Sequence, residues 1–287
     1  MHTAPTWQSG GEELTADVVE KEPTAVRIVN HFDSHAAAAR YAGNRPQSHG
    51  RVLAVLRSHL GAEVPVARAL DVGCGTGHST VALLAMARAV VGLDASRFML
   101  AQALAHPAIE YRCGYAEALP FERGSFDLLT VCSAYHWFDQ DRFLREAARV
   151  LRVGGRLVLY KVGSTGTIAD RPDFDVWRRE VLRVRYPKAA RNDEVLTAKK
   201  AAGFGLIDAA RESLTHRVRH TIDEYVDNLL THSSLLGAME RQNESVADTR
   251  EWLRRELEPF FPHGVAEFSH EDWIHVLRRA GTDVVAG

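Results

Sequence analysis

Cysteine is scarce in this chain: three in 287 residues, at Cys74, Cys113 and Cys132. No CxxC pair occurs, which removes the usual zinc and redox spacings, so the three read as small buried hydrophobes in a reducing compartment, without disulfide or zinc. An excess of one charge is missing too. Lys and Arg number 35 against 37 Asp and Glu, a formal net charge of −2, and the electrostatic footprint of a nucleic-acid binder is absent. No apolar run approaches membrane-spanning length, and Met1 to Thr24 is polar and acidic, without the blocks of a signal peptide. The expectation is a cytoplasmic protein with neither membrane nor nucleic acid as partner. His263, His270 and His275 lack ligand spacing, so no metal is expected. No Ser/His/Asp order suggests a hydrolase, and there is no repeat, low-complexity tract or charge block.

What remains is 46% hydrophobic and 25% charged, the composition of a globular chain able to bury one large core. Residues 1–24 read as a flexible arm and 25–287 as one domain. Its organising stretch is Ala69-Leu-Asp-Val-Gly-Cys-Gly-Thr-Gly-His-Ser79. An apolar run, three glycines, and apolar residues at helical spacing from Ser79 to Arg88 spell strand, tight turn and helix. Glycine permits the turn, and the helix start offers free N–H groups to an anionic ligand end. A dinucleotide fingerprint would need its third Gly where His78 stands.

The pattern Asp71-x-Gly73-x-Gly75-Thr76-Gly77 instead resembles the first motif of class I S-adenosylmethionine (SAM)-dependent methyltransferases. The resemblance implies that Asp71 and the backbone of Gly73, Gly75 and Gly77 hold the methionine part of SAM. A second short strand, 89–94, ends in Asp94, about 20 residues after the first Gly, where an open α/β sheet sets a carboxylate over ribose hydroxyls. That position suits SAM and NAD alike. In the family the segment with Ala95 and Met99 borders adenine, although Phe98, Met99 and Leu100 also read as helix core. A weak third strand, 109–113, leads to Gly114-Tyr115-Ala116-Glu117-Ala-Leu-Pro120-Phe121, similar to the family's G-D-A-E-x-L-P-F. Tyr115 stands where the family Asp receives the adenine amino group, so either that group turns to another acceptor such as a backbone carbonyl, or Tyr115 offers its oxygen or stacks, with the Ala116 backbone and Glu117 beside it.

Before the first strand, an Ala-rich helix ends ahead of Pro46, and 47–60 reads as an amphipathic helix closed by Gly61. Phe32…Tyr41-x-x-x-Arg45-Pro46 resembles a segment of many small-molecule methyltransferases. It departs from their Tyr-Pro pair with Ser48 and His49. Tyr41 and Arg45 there would cover the cofactor and hold a carboxylate, or else be a half-buried ring and a surface cation. The strand 125–133 is followed by Ala134-Tyr135-His136-Trp137-Phe138-Asp139, similar to the branch that includes trans-aconitate methyltransferase. Ser133, expected to contact the cofactor, and His136 and Trp137, expected to contact the substrate, thus face the same crevice as the glycines. His136 either handles the substrate or locks the loop with Trp137.

Helix 141–151 and strand 156–160 follow, then a lid-like insertion over 165–203 with two helices, a strand at 212–220, a capping box opening at Thr221, a helix over 246–262 and a last strand at 272–279. The expected fold is a Rossmann-like α/β sheet of seven mostly parallel strands with helices on both faces, plus N-terminal helices and a helical lid from about 25–61 and 165–203. The resemblance implies methyl transfer to a small molecule, with S-adenosylhomocysteine (SAH) as the second product and a carboxylate or hydroxyl acceptor favoured. A phenol, amine or carbon acceptor would make His136, Tyr41 or His49 candidate bases. Two alternatives stay open: a SAM-binding protein with lost or different chemistry, and an NAD-dependent Rossmann oxidoreductase. Oligomeric state is not readable.

Overall fold

The apolar run ending at Val72 becomes the centre of a twisted sheet. A computed structural model describes residues 31–44, 49–163 and 166–281; the expected arm at 1–24 and the candidate Arg45 lie outside them. The strands are β1 (Val66–Val72), β2 (Ala87–Asp94), β3 (Ile109–Cys113), β4 (Phe126–Cys132), β5 (Leu151–Lys161), β6 (Thr167–Ile168), β7 (Leu206–Thr221) and β8 (Val265–Arg279). They form one sheet in the order β3-β2-β1-β4-β5-β8, with β6 and β7 both paired to β8. The first five are parallel, and β8 runs antiparallel to all three of its partners. Seven strands match the expectation, and the two-residue β6 is an unforeseen eighth.

Side-chain alternation gives the sheet two apolar faces. Leu70, Val72, Leu93, Val131 and Leu157 point one way, onto α5 (Gln140–Val150). Ala69, Val90, Leu128 and Val158 point the other, onto α2 (His49–Leu60) through Leu53 and Leu56. The remaining helices are α1 (His35–Asn44), α3 (His78–Ala82), α4 (Arg97–Leu100), α6 (Pro172–Trp177), α7 (Arg183–Arg185), α8 (Ala198–Ala202), α9 (Ile222–Leu229), α10 (Ser233–Gln242) and α11 (Val246–Leu257).

The helix expected up to Arg88 is shorter. Residues from Ala87 onward pair with β1, Val66 against Ala87, so the ladder takes them. The two closing strands are longer than their sequence suggests, and pair from Leu206 against Arg279 out to Thr221 against Val265. Only the inner part of β8 rests on β5, Trp273 opposite Lys161 at its end. Beyond that point the hairpin projects past the C-terminal edge of the parallel strands. Its end carries a separate apolar cluster in which Phe268, Tyr225, Phe174, Leu229 and Leu253 are buried. The Thr221 capping box is formed: its hydroxyl accepts from the Glu224 amide, while the Glu224 carboxylate accepts from the Thr221 amide. The cap over the sheet edge therefore draws on α9, α10 and α11 as well as α1 and α6, whereas α2 packs on the sheet itself.

Candidate active site

Where β1 ends, Gly73 has φ 71° and its amide donates to the Leu93 carbonyl of β2 at 2.8 Å. A Cβ on Gly73 would lie 2.5 Å from the Cβ of Ala134, just past β4. The first turn and the loop after β4 therefore touch backbone to side chain, and together they wall a cleft of about 2330 Å³ beyond the strand ends. Single small ligands occupy roughly 300–1,000 Å³, so this cleft has room for a nucleoside cofactor and an acceptor side by side.

Asp94 closes β2 on the cleft wall, with one carboxylate oxygen accepting from the Gly75 amide and the other from the Ser96 amide, each at 2.8 Å. Each oxygen keeps a further lone pair for a vicinal diol. Burial raises its pKa while these amides oppose the rise. Gly75, Ala95, Met99, Ala116 and Glu117 line the same half. Tyr115 lines it too, but 69% exposed at the rim. The Glu117 carboxylate, its pKa raised by burial, accepts from the Asp139 amide at 2.8 Å and so holds the start of α5 against this wall.

Two of the expected cofactor residues lie off the cleft wall. Asp71 is fully buried and off the cleft wall; its oxygens accept from Ser79 and Thr80 of α3 at 2.6 and 2.8 Å and from Thr130 of β4 at 2.8 Å. It therefore positions the turn. Gly77 has φ 81°, and a Cβ there would collide with the Tyr111 hydroxyl. It also lies off the wall and shapes the entry into α3. The residues left on the wall fit an adenosyl ligand: a cradle closed to any side chain at Gly73, and a carboxylate pre-aligned by two amides over the ribose place.

The other half of the cleft is built by the loop after β4. Ser133 takes the left-handed conformation, φ 54°, and its amide donates to the Tyr160 carbonyl of β5 at 2.9 Å. His136 and Trp137 follow on the wall, their ring centroids 4.7 Å apart. The His136 carbonyl accepts from the Asn192 amide at 2.9 Å, which draws the segment after α7 across the opening. Burial pulls the His136 imidazole down to about 4; Arg191, Lys161 and Lys188 push the same way and Asp193 opposes them. Tyr41 and His49 also reach the cleft. His49 is buried, with Nδ1 3.3 Å from the Tyr160 hydroxyl, and Tyr41 packs edge-on to Phe32 at 5.5 Å.

Sequence reasoning missed Lys161, Lys188, Arg191 and Trp273 on this wall. Lys161 directly follows the strand read at 156–160, and the strand-end rule would have found it. Lys188 and Arg191 sit in an irregular segment, and Trp273 lies near the start of the strand read at 272–279, whose pairing beside β5 the sequence does not show. Among the described residues no group of three His, Cys, Asp or Glu side chains is placed to hold a metal ion, and no helix is long and apolar enough to cross a membrane.

Comparison with known proteins agrees with this geometry. Residues 70–159 match the methyltransferase domain family, the span from β1 to the end of β5. An uncharacterised Escherichia coli protein, YafE, is 30% identical over 200 residues, covering 66% of this chain and 93% of its own. A Dictyostelium discoideum protein named as a putative methyltransferase is 31% identical over 141 residues, 49% of this chain; the chain spans about half (52%) of that relative's length. The solved structure of a putative type II methyltransferase from Anaeromyxobacter dehalogenans superposes with a TM-score of 0.61 at 24% identity, covering 83% of this chain and 97% of that one. At that identity the likeness speaks for the fold, and the sequence relatives speak for the family. With the glycine cradle and the Asp94 carboxylate in place, the chain belongs to the class I SAM-dependent methyltransferases.

Proposed function

We propose that this enzyme methylates a small organic acid, on its carboxylate. The observation that carries the reading is the cationic wall around His136. Lys161, Lys188 and Arg191 line the cleft there, and Lys188 and Arg191 share one carboxylate, Asp193, at 3.7 and 2.7 Å. Such a wall attracts an anion, and a guanidinium matches a carboxylate's planar fork.

SAM, when bound, supplies a methyl group already activated on a sulfonium. The chain's own part is then to hold the acceptor oxygen in line and to keep water out. Asp94 would hold the ribose, the Gly73–Gly75 backbone the methionine end, and Ala116 and Glu117 the adenine flank. Ser133, His136 and Trp137 would carry the acceptor, aided by Tyr41. A carboxylate acceptor is already nucleophilic at neutral pH and needs no base. The low proton affinity of His136 favours that role over proton abstraction, because a useful general base titrates near the working pH. His136 then positions the acceptor through its neutral ring, while the Tyr160 contact of His49 supports the same wall from beneath.

The test is the lability of the product. With methyl-labelled SAM and a panel of carboxylic and phenolic acids, carboxylate methylation yields an ester that releases labelled methanol in mild alkali. Label that survives alkali places the methyl on a hydroxyl, nitrogen or carbon and ends the carboxylate reading. His136→Gln should slow turnover while leaving SAH affinity within about twofold, an effect of losing one neutral hydrogen bond near the acceptor.

A further inference from the structure

Trp273 stands at an unusual place. It lies in β8 with Lys161 of β5 opposite on one side and Ser213 of β7 on the other, so its backbone is fixed in mid-sheet. Its ring is nevertheless 40% exposed, whereas its neighbour Ile274 is 1% exposed and Tyr160, across the ladder, 1%. Among the described residues no other aromatic ring stacks on it. Leaving a large indole half in water on a rigid strand forfeits burial that its neighbours achieve. The same residue lines the cleft, at the level where the parallel strands end and the hairpin begins to project.

The distance is informative as well. β4, β5 and β8 are consecutive neighbours, and adjacent strands lie about 4.8 Å apart, so Trp273 sits roughly 10 Å across the sheet edge from Ser133. Resting on the methyltransferase reading above, we infer that Trp273 is a stacking platform for the acceptor, and that the acceptor is a flat, conjugated acid long enough to reach from the Ser133–His136 loop to Trp273, of arylpropenoic rather than aliphatic build. Lys161, directly opposite Trp273, sets a cation beside the platform, so that the ring and the acid end of one planar molecule meet complementary groups along a single strand boundary. An indole face attached to a strand offers area at little entropic cost and discriminates flat from flexible ligands.

The experiment measures binding to the protein saturated with SAH by calorimetry, with 4-hydroxycinnamate as the planar probe. Its flexible counterpart is 8-hydroxyoctanoate, which carries the same two end groups. The planar acid should bind about tenfold more tightly, the effect expected of one good stack. Trp273→Ala should abolish that preference without changing SAH affinity, and Trp273→Phe should retain most of it. Equal binding of the two acids, binding of neither, or a preference that survives Trp273→Ala overturns the platform. Failure of SAH itself to bind the wild-type protein would instead bring down the methyltransferase reading beneath it, and the two failures are told apart in the first titration.

Discussion

Asp94 shows how one carboxylate does two tasks. Its oxygens hold the Gly75 and Ser96 amides, and through them the turn that receives the ligand. On the proposed reading the same oxygens would also receive the ribose hydroxyls. Hydrogen bonds to a charged acceptor contribute about 1.5–3 kcal/mol each, so Asp94→Ala should weaken SAH binding at least about tenfold in a calorimetric titration. The freed amides belong to the buried residues Gly75 and Ser96, so the melting temperature should fall as well. Unchanged SAH affinity would remove Asp94 from the ribose role. Asp71 presents the opposite case: an acid of the same motif, one strand away, wholly enclosed and spent on internal hydroxyls. Both acids lie at or near the ends of apolar runs in the sequence, Asp71 just before Val72 and Asp94 after Leu93, and burial tells them apart.

Between elements, Asp71 is the joint that fixes β1, β4 and α3 to one another through Thr130, Ser79 and Thr80. Thr130→Val keeps the shape and removes one donor to a buried carboxylate, which costs about 1–3 kcal/mol. Chemical denaturation should register that loss, and a stability equal to wild type would mean that Asp71 does not depend on the β4 hydroxyl. The central parallel strands were legible because each is a short apolar run ended by a polar residue or Gly: Val72 before Gly73, Leu93 before Asp94, Cys132 before the Ser133 loop. α10 was not legible, since Ser-Ser-Leu-Leu-Gly-Ala-Met breaks helical periodicity with Gly237, and its helix is fixed by burial of Leu235, Ala238 and Met239 in the cap. β7 and β8 were read short because polar residues alternate along them on an exposed face. The cofactor half of the site was readable as it comes from one contiguous motif and its fixed-distance partner Asp94. The acceptor half was readable only in part: Ser133, His136, Trp137 and Tyr41 were found from their segments, while Lys161, Lys188, Arg191 and Trp273 come from three separate segments that meet only in the folded chain.

Acid sensitivity of the whole molecule follows from its buried histidines. His270 is 3% exposed, with Nδ1 3.0 Å from the Gly163 carbonyl. His216 stacks at 5.6 Å, and His220 lies edge-on at 5.6 Å, both on β7. Burial lowers its pKa to about 4; His220 and His216 lower it further, while the Gly163 carbonyl and buried Asp272 oppose them. Arg51 of α2 bonds to His216 and Asp272 from the far side, so any proton entering this cluster meets positive charge already present. In the unfolded chain the same imidazole titrates near 6.5. Between those two values the unfolded state binds the proton and the folded state does not, so stability is highest above pH 6.5 and is lost as pH falls toward 4. Asp71, Asp94 and Glu117 act in the opposite sense, because their raised carboxyls take up protons earlier in the folded state. A single pH curve therefore mixes both signs, and a pair of curves separates them. His270→Phe keeps the ring and deletes the titration. Its unfolding free energy should decline less steeply than that of wild type between pH 6.5 and 4.5, the difference approaching about 1.4 kcal/mol per pH unit at most. Parallel curves would show that the hairpin histidines take up protons equally in both states, and the acid lability would then belong to His136 and the cleft.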